Sequence, residues 1–165
     1  HELTNLIIPL MRQQGGGRII YNSSVLGFIA MTYRGAYNAS KFALEGLVDT
    51  LRLELYGTNI HLSLIEPGPI SSDFRKNAFA LYKKNIDPTH SPHKAIYETM
   101  EVRLQKKGPA VPFTLPPDAV AQKVIHAMEA KNPRIRYYVT FPTYLFGYLK
   151  RILPARLLDY LARKV

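Results

Sequence analysis

The chain has 165 residues, a formal net charge of +10 and no cysteine, which excludes disulfides and thiolate metal sites and suits a reducing, cytoplasmic setting. With 47% apolar and 21% charged residues it has the composition of a globular protein, and no secretory signal or long transmembrane run is visible. The positive charge suits an anionic partner, but Lys and Arg are scattered along the chain as on an ordinary solvated surface.

Leu3, Leu6, Ile7 and Leu10 recur at helical spacing and predict an amphipathic helix over 2–13, with Pro9 expected to kink or shorten it. Gly15-Gly16-Gly17 breaks the chain, and residues 18–23 follow as a short strand. A long helix over 36–56 carries a stripe of Leu44, Leu47, Leu51 and Leu55. Gly57-Thr58-Asn59 ends it, and residues 60–65 form the next strand. Strand, helix and strand at this spacing make a βαβ unit, which implies a parallel sheet covered on both faces. Pro67-Gly68-Pro69 closes the second strand, and the proline-rich region 71–115 holds two short helices near 73–84 and 92–106. Pro116-Pro117-Asp118 opens another helix, with Val120, Val124, Ala127 and Met128 as its apolar positions. Residues 136–139 are a last strand, and the tail 141–165 reads as helix interrupted at Pro154.

Tyr37 and Lys41 are four apart on the long helix, so they share one face. An ammonium beside a phenol favours the phenolate and draws a group that titrates at about 10 toward neutral pH. Ser24 is expected at the carboxyl end of the preceding strand, where open α/β sheets place ligands. Its hydroxyl can hydrogen-bond a carbonyl oxygen while Tyr37 donates the proton, which leaves a hydride as the missing reactant. The spacing alone is weak, because Tyr160 and Lys164 repeat it in the tail, where a plain surface helix is expected. Tyr37 and Lys41 differ in context: a serine-ended strand before them, Ala39 and Ser40 between them, and Pro67-Gly68 after them.

The run Ser23-Ser24, Gly27 and Tyr37-Asn38-Ala39-Ser40-Lys41-Phe42-Ala43-Leu44-Glu45-Gly46 resembles the active-site block of the short-chain dehydrogenases/reductases. Pro67-Gly68-Pro69-Ile70-Ser71-Ser72 is similar to their cofactor loop, with Ser72 where a threonine is common, and Gly17-Arg18-Ile19-Ile20 resembles the strand leading to their serine. The likeness is close over 1–75, is nearest the branch of 17β-hydroxysteroid and retinol dehydrogenases, and extends through a tail similar to that of bacterial aldehyde reductases of that branch. It implies an α/β fold, the C-terminal part of a doubly wound parallel-sheet Rossmann domain over 1–140, with a substrate lid at 71–115 and a basic amphipathic helical tail at 141–165.

The same resemblance implies roles. Tyr37 would be the general acid/base, Lys41 would bind the nicotinamide ribose hydroxyls and lower the Tyr37 pKa, and Ser24 would polarise the substrate carbonyl. Pro67, Gly68 and Ile70 would line the nicotinamide pocket, and Ser72 would reach cofactor phosphate or amide. The lid residues Phe74, Phe79, Leu81 and Tyr82 would favour a lipophilic aldehyde or ketone, although an apolar stripe is as often ordinary packing. NADP(H) is expected over NAD(H), from the basic chain and the reductase likeness. A homodimer through 36–56 also follows from the family.

Two family features are not in the sequence. No Gly-x-x-x-Gly-x-Gly turn occurs, and Gly15-Gly16-Gly17 precedes a strand rather than a helix. The family's catalytic asparagine would fall upstream of His1, since Asn5 is too near the serine. The chain also opens without methionine inside a helical pattern. It is therefore expected to be the C-terminal part of a longer enzyme, inactive alone.

Other readings compete. The tail alternates Tyr144, Leu145, Tyr148, Leu149, Ile152, Leu157 and Leu161 with Lys150, Arg151, Arg156, Arg163 and Lys164, a pattern that can lie on an anionic membrane or cap the core or a partner subunit. A membrane- or partner-binding module without catalysis is the main alternative to an enzyme. DNA binding lacks a recognition-helix pattern. His90 and His93 have the spacing of metal ligands but no third ligand, so a loop surface is expected and no metal. Ser24 lacks the Gly-x-Ser-x-Gly elbow of a serine hydrolase.

Overall fold

A computed structural model describes residues 1–106, 108–109 and 111–163. The chain folds as two compact units, His1–Gly68 with Asp118–Val165, and Pro69–Pro117.

In the first unit, helix α1 (Glu2–Gln13) leads through the glycines to strand β1 (Gly17–Asn22). Pro9 lies inside α1 without ending it. Both Pro9 and Asn5, whose carbonyl loses its usual donor, are exposed, so water can satisfy that oxygen. Gly15 leaves the helix at φ +85, a conformation that side chains rarely adopt. A single 3₁₀ turn over Val25–Gly27 follows β1, and then helix α2 (Gly35–Glu54) and strand β2 (Ile60–Glu66). After the second unit come α5 (Asp118–Glu129), β3 (Arg136–Tyr138), α6 (Phe141–Ile152) and α7 (Ala155–Ala162). Pro154 separates the last two helices, as its missing N–H and fixed φ favour.

The three strands are all parallel in the order β1-β2-β3. Gly17 pairs with Ile60 and Asn22 with Ile65, so the carboxyl ends of β1 and β2 lie side by side. The α2 stripe buries Val48, Leu51 and Leu55 on Ile60, Leu62 and Leu64 of the sheet, with Leu44, Leu47, Ile8 and Met11 packed around them. Val48 belongs to that stripe although the leucine spacing passes over it. A second cluster joins Val25, Leu26 and Ile29 to Phe146 of α6, with Met31, Tyr37 and Leu158 against it. In α5 Ala127 is buried, and Arg18 of β1 donates from Nη1 to the Ala127 carbonyl at 2.8 Å. Met128, another of the apolar positions of this helix, is exposed, because the helix turns Ala127 and not its neighbour toward β1.

The second unit contains α3 (Phe74–Asn85) and α4 (Lys94–Gln105). Tyr82 of α3 stacks on Tyr97 of α4 at 5.9 Å and donates its hydroxyl to Glu101 at 2.9 Å. Lys83 pairs with the same carboxylate at 2.8 Å.

Candidate active site

The site grows from the end of β1. Beyond Asn22 the backbone of Ser24 stays extended, and its Oγ accepts the Leu26 N–H at 3.1 Å, capping the 3₁₀ turn. Ser24 therefore lies two residues past the strand rather than in it. The accepting oxygen leaves the hydroxyl hydrogen available to donate. The turn is stitched to the neighbouring strand, because Ser23 N–H donates to the Ile65 carbonyl and Val25 N–H to the Pro67 carbonyl, each at 2.8 Å. Ser24 is thereby held beside Pro67 and Gly68.

The loop from the turn to α2 is pinned by Asn38, whose Nδ2 donates to the Met31 carbonyl at 3.0 Å. The Tyr37 ring then packs on the cluster that contains Val25 and Leu26. One helical turn on, Lys41 Nζ lies 5.7 Å from the Tyr37 ring centroid and donates to the Asn22 carbonyl at 2.9 Å. Burial holds the Lys41 ammonium below its ordinary pKa, partly offset by the Glu45 carboxylate one turn further along. The ammonium thus joins α2 to the carboxyl end of β1.

Gly68 is confined on its other side. A Cβ at Gly68 would sit 2.1 Å from Thr140 Oγ1 and 2.8 Å from Thr143 Oγ1. Both threonines are fully buried, and their hydroxyls are 3.1 Å apart. The chain can pass over the start of α6 only without a side chain at this position.

Ser24, Tyr37, Lys41, Pro67 and Gly68 thus belong to one unit, at the carboxyl ends of two adjacent parallel strands. Ile70, Ser72 and the four lid residues belong to the other unit. There Ile70 bridges to Leu115 in parallel, and Ser72 Oγ accepts the Phe74 N–H at 3.4 Å. Phe79 and Tyr82 are partly buried and stacked at 6.4 Å, whereas Phe74 and Leu81 are exposed. His90 and His93 are exposed, and among the described residues no three His, Cys, Asp or Glu are grouped to hold a metal. Tyr160 is exposed, and Lys164 lies outside the described residues.

Sequence reading missed a cluster beside this site. Arg136, the first residue of β3, faces Glu45 and Asp49 of α2 and Glu66 at the end of β2. One signal was available: Glu66 closes a largely buried strand, and a carboxylate there requires a partner.

In the tail, Leu145, Tyr148 and Ile152 form an exposed apolar stripe on α6. Lys150 turns away from it to lie 5.2 Å from the Phe42 ring centroid of α2. Among the described residues no helix is long and apolar enough to cross a membrane.

A family model described as short chain dehydrogenase matches residues 1–83. An uncharacterized oxidoreductase of Escherichia coli K12, YbbO, is 42% identical over 159 residues, covering 96% of this chain and 53% of that protein. Human 17-beta-hydroxysteroid dehydrogenase type 1 is 33% identical over 141 residues, covering 84% of this chain and 42% of that protein. The chain therefore spans about half the length of the curated relatives it matches. Among solved structures, a short chain dehydrogenase from Burkholderia cenocepacia in complex with NADP superimposes with a TM-score of 0.68 at 16% identity, covering 96% of this chain and 52% of that one.

Proposed function

The chain belongs to the short-chain dehydrogenase family, and on that premise we propose that it carries the proton-transfer side of a nicotinamide-dependent carbonyl/alcohol oxidoreductase. The observation that supports this best is the Lys41 ammonium, drawn into the end of β1 with the Tyr37 ring beside it.

The residues present fit the nicotinamide end of such a cofactor: a cation and a close-running Pro67-Gly68 backbone at the carboxyl ends of two parallel strands. Lys41 would hold the ribose hydroxyls, Pro67, Gly68 and Ile70 would line the nicotinamide, and Ser72 would reach its phosphate or amide. When bound, the cofactor supplies or accepts the hydride. In reduction, Ser24 donates a hydrogen bond to the carbonyl oxygen and Tyr37 delivers its phenolic proton to it. In oxidation the phenolate takes that proton back. The Lys41 charge stabilises the phenolate left between these events.

The basic chain favours NADP(H), whose extra phosphate adds negative charge. The apolar α3 residues Phe79 and Leu81 favour a lipophilic aldehyde or ketone as substrate. Consumption of NADPH and NADH by the full-length protein, assayed with aldehydes of increasing chain length, tests both statements. NADPH is expected to be preferred, and kcat/KM to rise about fourfold per buried methylene, near 0.8 kcal/mol each. No consumption with any carbonyl would refute the oxidoreductase reading, and no rise with length would refute the lipophilic one.

The α6 stripe supports peripheral contact with an anionic lipid surface. Tyr148 and Ile152 are 60% and 75% exposed, and Arg151, Arg156 and Arg163 lie exposed on the same two-helix segment, which has one acid, Asp159. The protein is expected to float with vesicles containing anionic phospholipid but not with neutral ones. The double variant Tyr148→Glu, Ile152→Glu should abolish flotation. Equal flotation of variant and wild type would reject the lipid contact, and a change of oligomeric state in its place would assign the stripe to a second copy.

A further inference from the structure

Three carboxylates from two elements converge on one guanidinium. Arg136 Nη1 donates to Glu45 Oε2 and, at 2.5 Å, to Glu66 Oε1, while Nη2 donates to Asp49 Oδ2 at 2.6 Å. Glu66 is fully buried and Glu45 is 6% exposed. Among the described residues Glu45 Oε1 and Glu66 Oε2, both buried, have no donor. With every carboxyl ionised the group would hold three negative charges against Arg136 and the more distant Arg52, which lies 3.7 Å from Asp49, and the charges of Glu45 and Glu66 would be out of water, an arrangement of high desolvation cost. The two carboxyls are hydrogen-bond neighbours, and a proton shared between them removes one charge and supplies the donor that two carboxylates lack.

The cluster touches each arm of the proposed site. Glu45 is one helical turn from Lys41. Glu66 immediately precedes Pro67 and Gly68. Gly27, three residues past Ser24, packs so closely that a Cβ there would lie 2.8 Å from Glu45 Cγ and 2.7 Å from Ser23 Oγ.

We propose that Glu45, Glu66 and Arg136 are positioning residues, in which one guanidinium and one proton shared by two buried carboxyls lock the helix bearing Tyr37 and Lys41 to the strand end that leads into Pro67-Gly68. The positioning role rests on the function proposed above; the shared proton does not. Burial, and then the neighbouring Glu45 carboxylate, push the Glu66 carboxyl up to about 8, against the pull of Arg136. Arg136 is held above its usual range, because Glu45 and Glu66 outweigh its own burial. The other groups facing the cluster are Asp49, Lys41 and Arg52 on α2, the last 3.7 Å from Asp49, with Tyr138 on β3 and Lys150 and Arg151 on α6. The Tyr138 hydroxyl is raised by burial and by Glu66, which opposes its ionising alongside the cluster.

The sign of the pH effect follows. The folded Glu66 keeps its proton up to about 8, whereas the unfolded one loses it near 4.5. Between these limits the folded state binds the extra proton, so stability falls as pH rises across the window and levels off above it.

Arg136→Met leaves two buried carboxyls without a counter-charge and is expected to cost the fold itself, so the decisive variant is Glu66→Gln. An amide keeps the shape, donates where the shared proton did and cannot ionise. Thermal and denaturant unfolding should show wild type and Glu66→Gln alike at the acid end of the window. Above about 8 the variant should be more stable, by at least about tenfold in the folding constant. In the full-length protein the ratio of variant to wild-type kcat should rise through the same pH, with the KM for carbonyl unchanged. Arg136→Lys, one point charge in place of a fork, should lower kcat without restoring the wild-type pH profile. A Glu66→Gln stability deficit that grows with pH would show an ionised Glu66 paired to Arg136 and overturn the shared proton. A stability gain with a flat kcat ratio would overturn the positioning role.

Discussion

Tyr37→Phe is expected to lower kcat by about 10²- to 10⁴-fold, the range contributed by a positioned general acid or base. The substitution removes one oxygen and keeps the ring, which packs on Val25, Leu26, Ile29 and Phe146. Stability should therefore change little. Lys41 donates to the Asn22 carbonyl, a bond the substitution leaves intact, so the ammonium should stay in place. Nucleotide affinity should survive for the same reason, and the loss should appear in kcat with KM nearly constant. Steady-state kinetics with a parallel nucleotide titration distinguish the outcomes. A Tyr37→Phe enzyme with near wild-type turnover would remove Tyr37 from the chemistry.

Gly68→Ala is the second large effect, and it acts through packing. The new methyl would lie 2.1 Å from Thr140 Oγ1, and neither Thr140 nor Thr143 has space to yield. The backbone must move, and overpacking of this kind costs about 1–3 kcal/mol. That corresponds to roughly 2–4 °C of melting temperature per kcal/mol in a chain of this size. The displacement should reach the chemistry, because the adjacent Pro67 carbonyl receives the Val25 N–H next to Ser24. Removing the obstructing hydroxyl with Thr140→Ala should recover part of the loss, so that the double variant is more stable than the two single effects predict. Strict additivity, or a Gly68→Ala protein as stable as wild type, would show that the close approach carries no constraint.

Much of the architecture was legible because it is local. The leucines of α1 set its span from Glu2 to Gln13 by period alone. The leucines of α2, bounded by the glycine at position 57, marked a helix between two strands and hence a parallel pair. The 3₁₀ turn over Val25–Gly27 was not legible, because three apolar residues show no period. It is closed by the Gly27 N–H on the Ser24 carbonyl and capped by the Leu26 N–H on Ser24 Oγ. The Arg136 cluster was hidden for another reason. Glu45 and Arg136 stand 91 residues apart, and Glu66 and Arg136 stand 70 apart, so nothing local joins them. The outward-facing stripe of Leu145, Tyr148 and Ile152 had the pattern of a buried face, and the side turned to the core instead carries Thr143, Phe146 and Gly147. Thr143 and Gly147 are small because Gly68 and Tyr138 crowd that side of the helix.

The candidate site divides in the same way. Tyr37 and Lys41 stood out by motif, but their relation to β1 needed the fold: the ammonium reaches Asn22, a residue that no spacing rule connects to it. The spacing is not distinctive in itself, because Tyr160 and Lys164 repeat it in the tail.

The central claim is that this chain helps move a hydride, with Tyr37 moving the accompanying proton. Its most direct test is the fate of deuterium carried at both C4 positions of the reduced nicotinamide, followed in the full-length protein with a lipophilic aldehyde. The account predicts an alcohol with deuterium on its carbinol carbon, formed by the wild type and lost in step with turnover in Tyr37→Phe. An alcohol without deuterium, or label transfer undiminished in Tyr37→Phe, would contradict it.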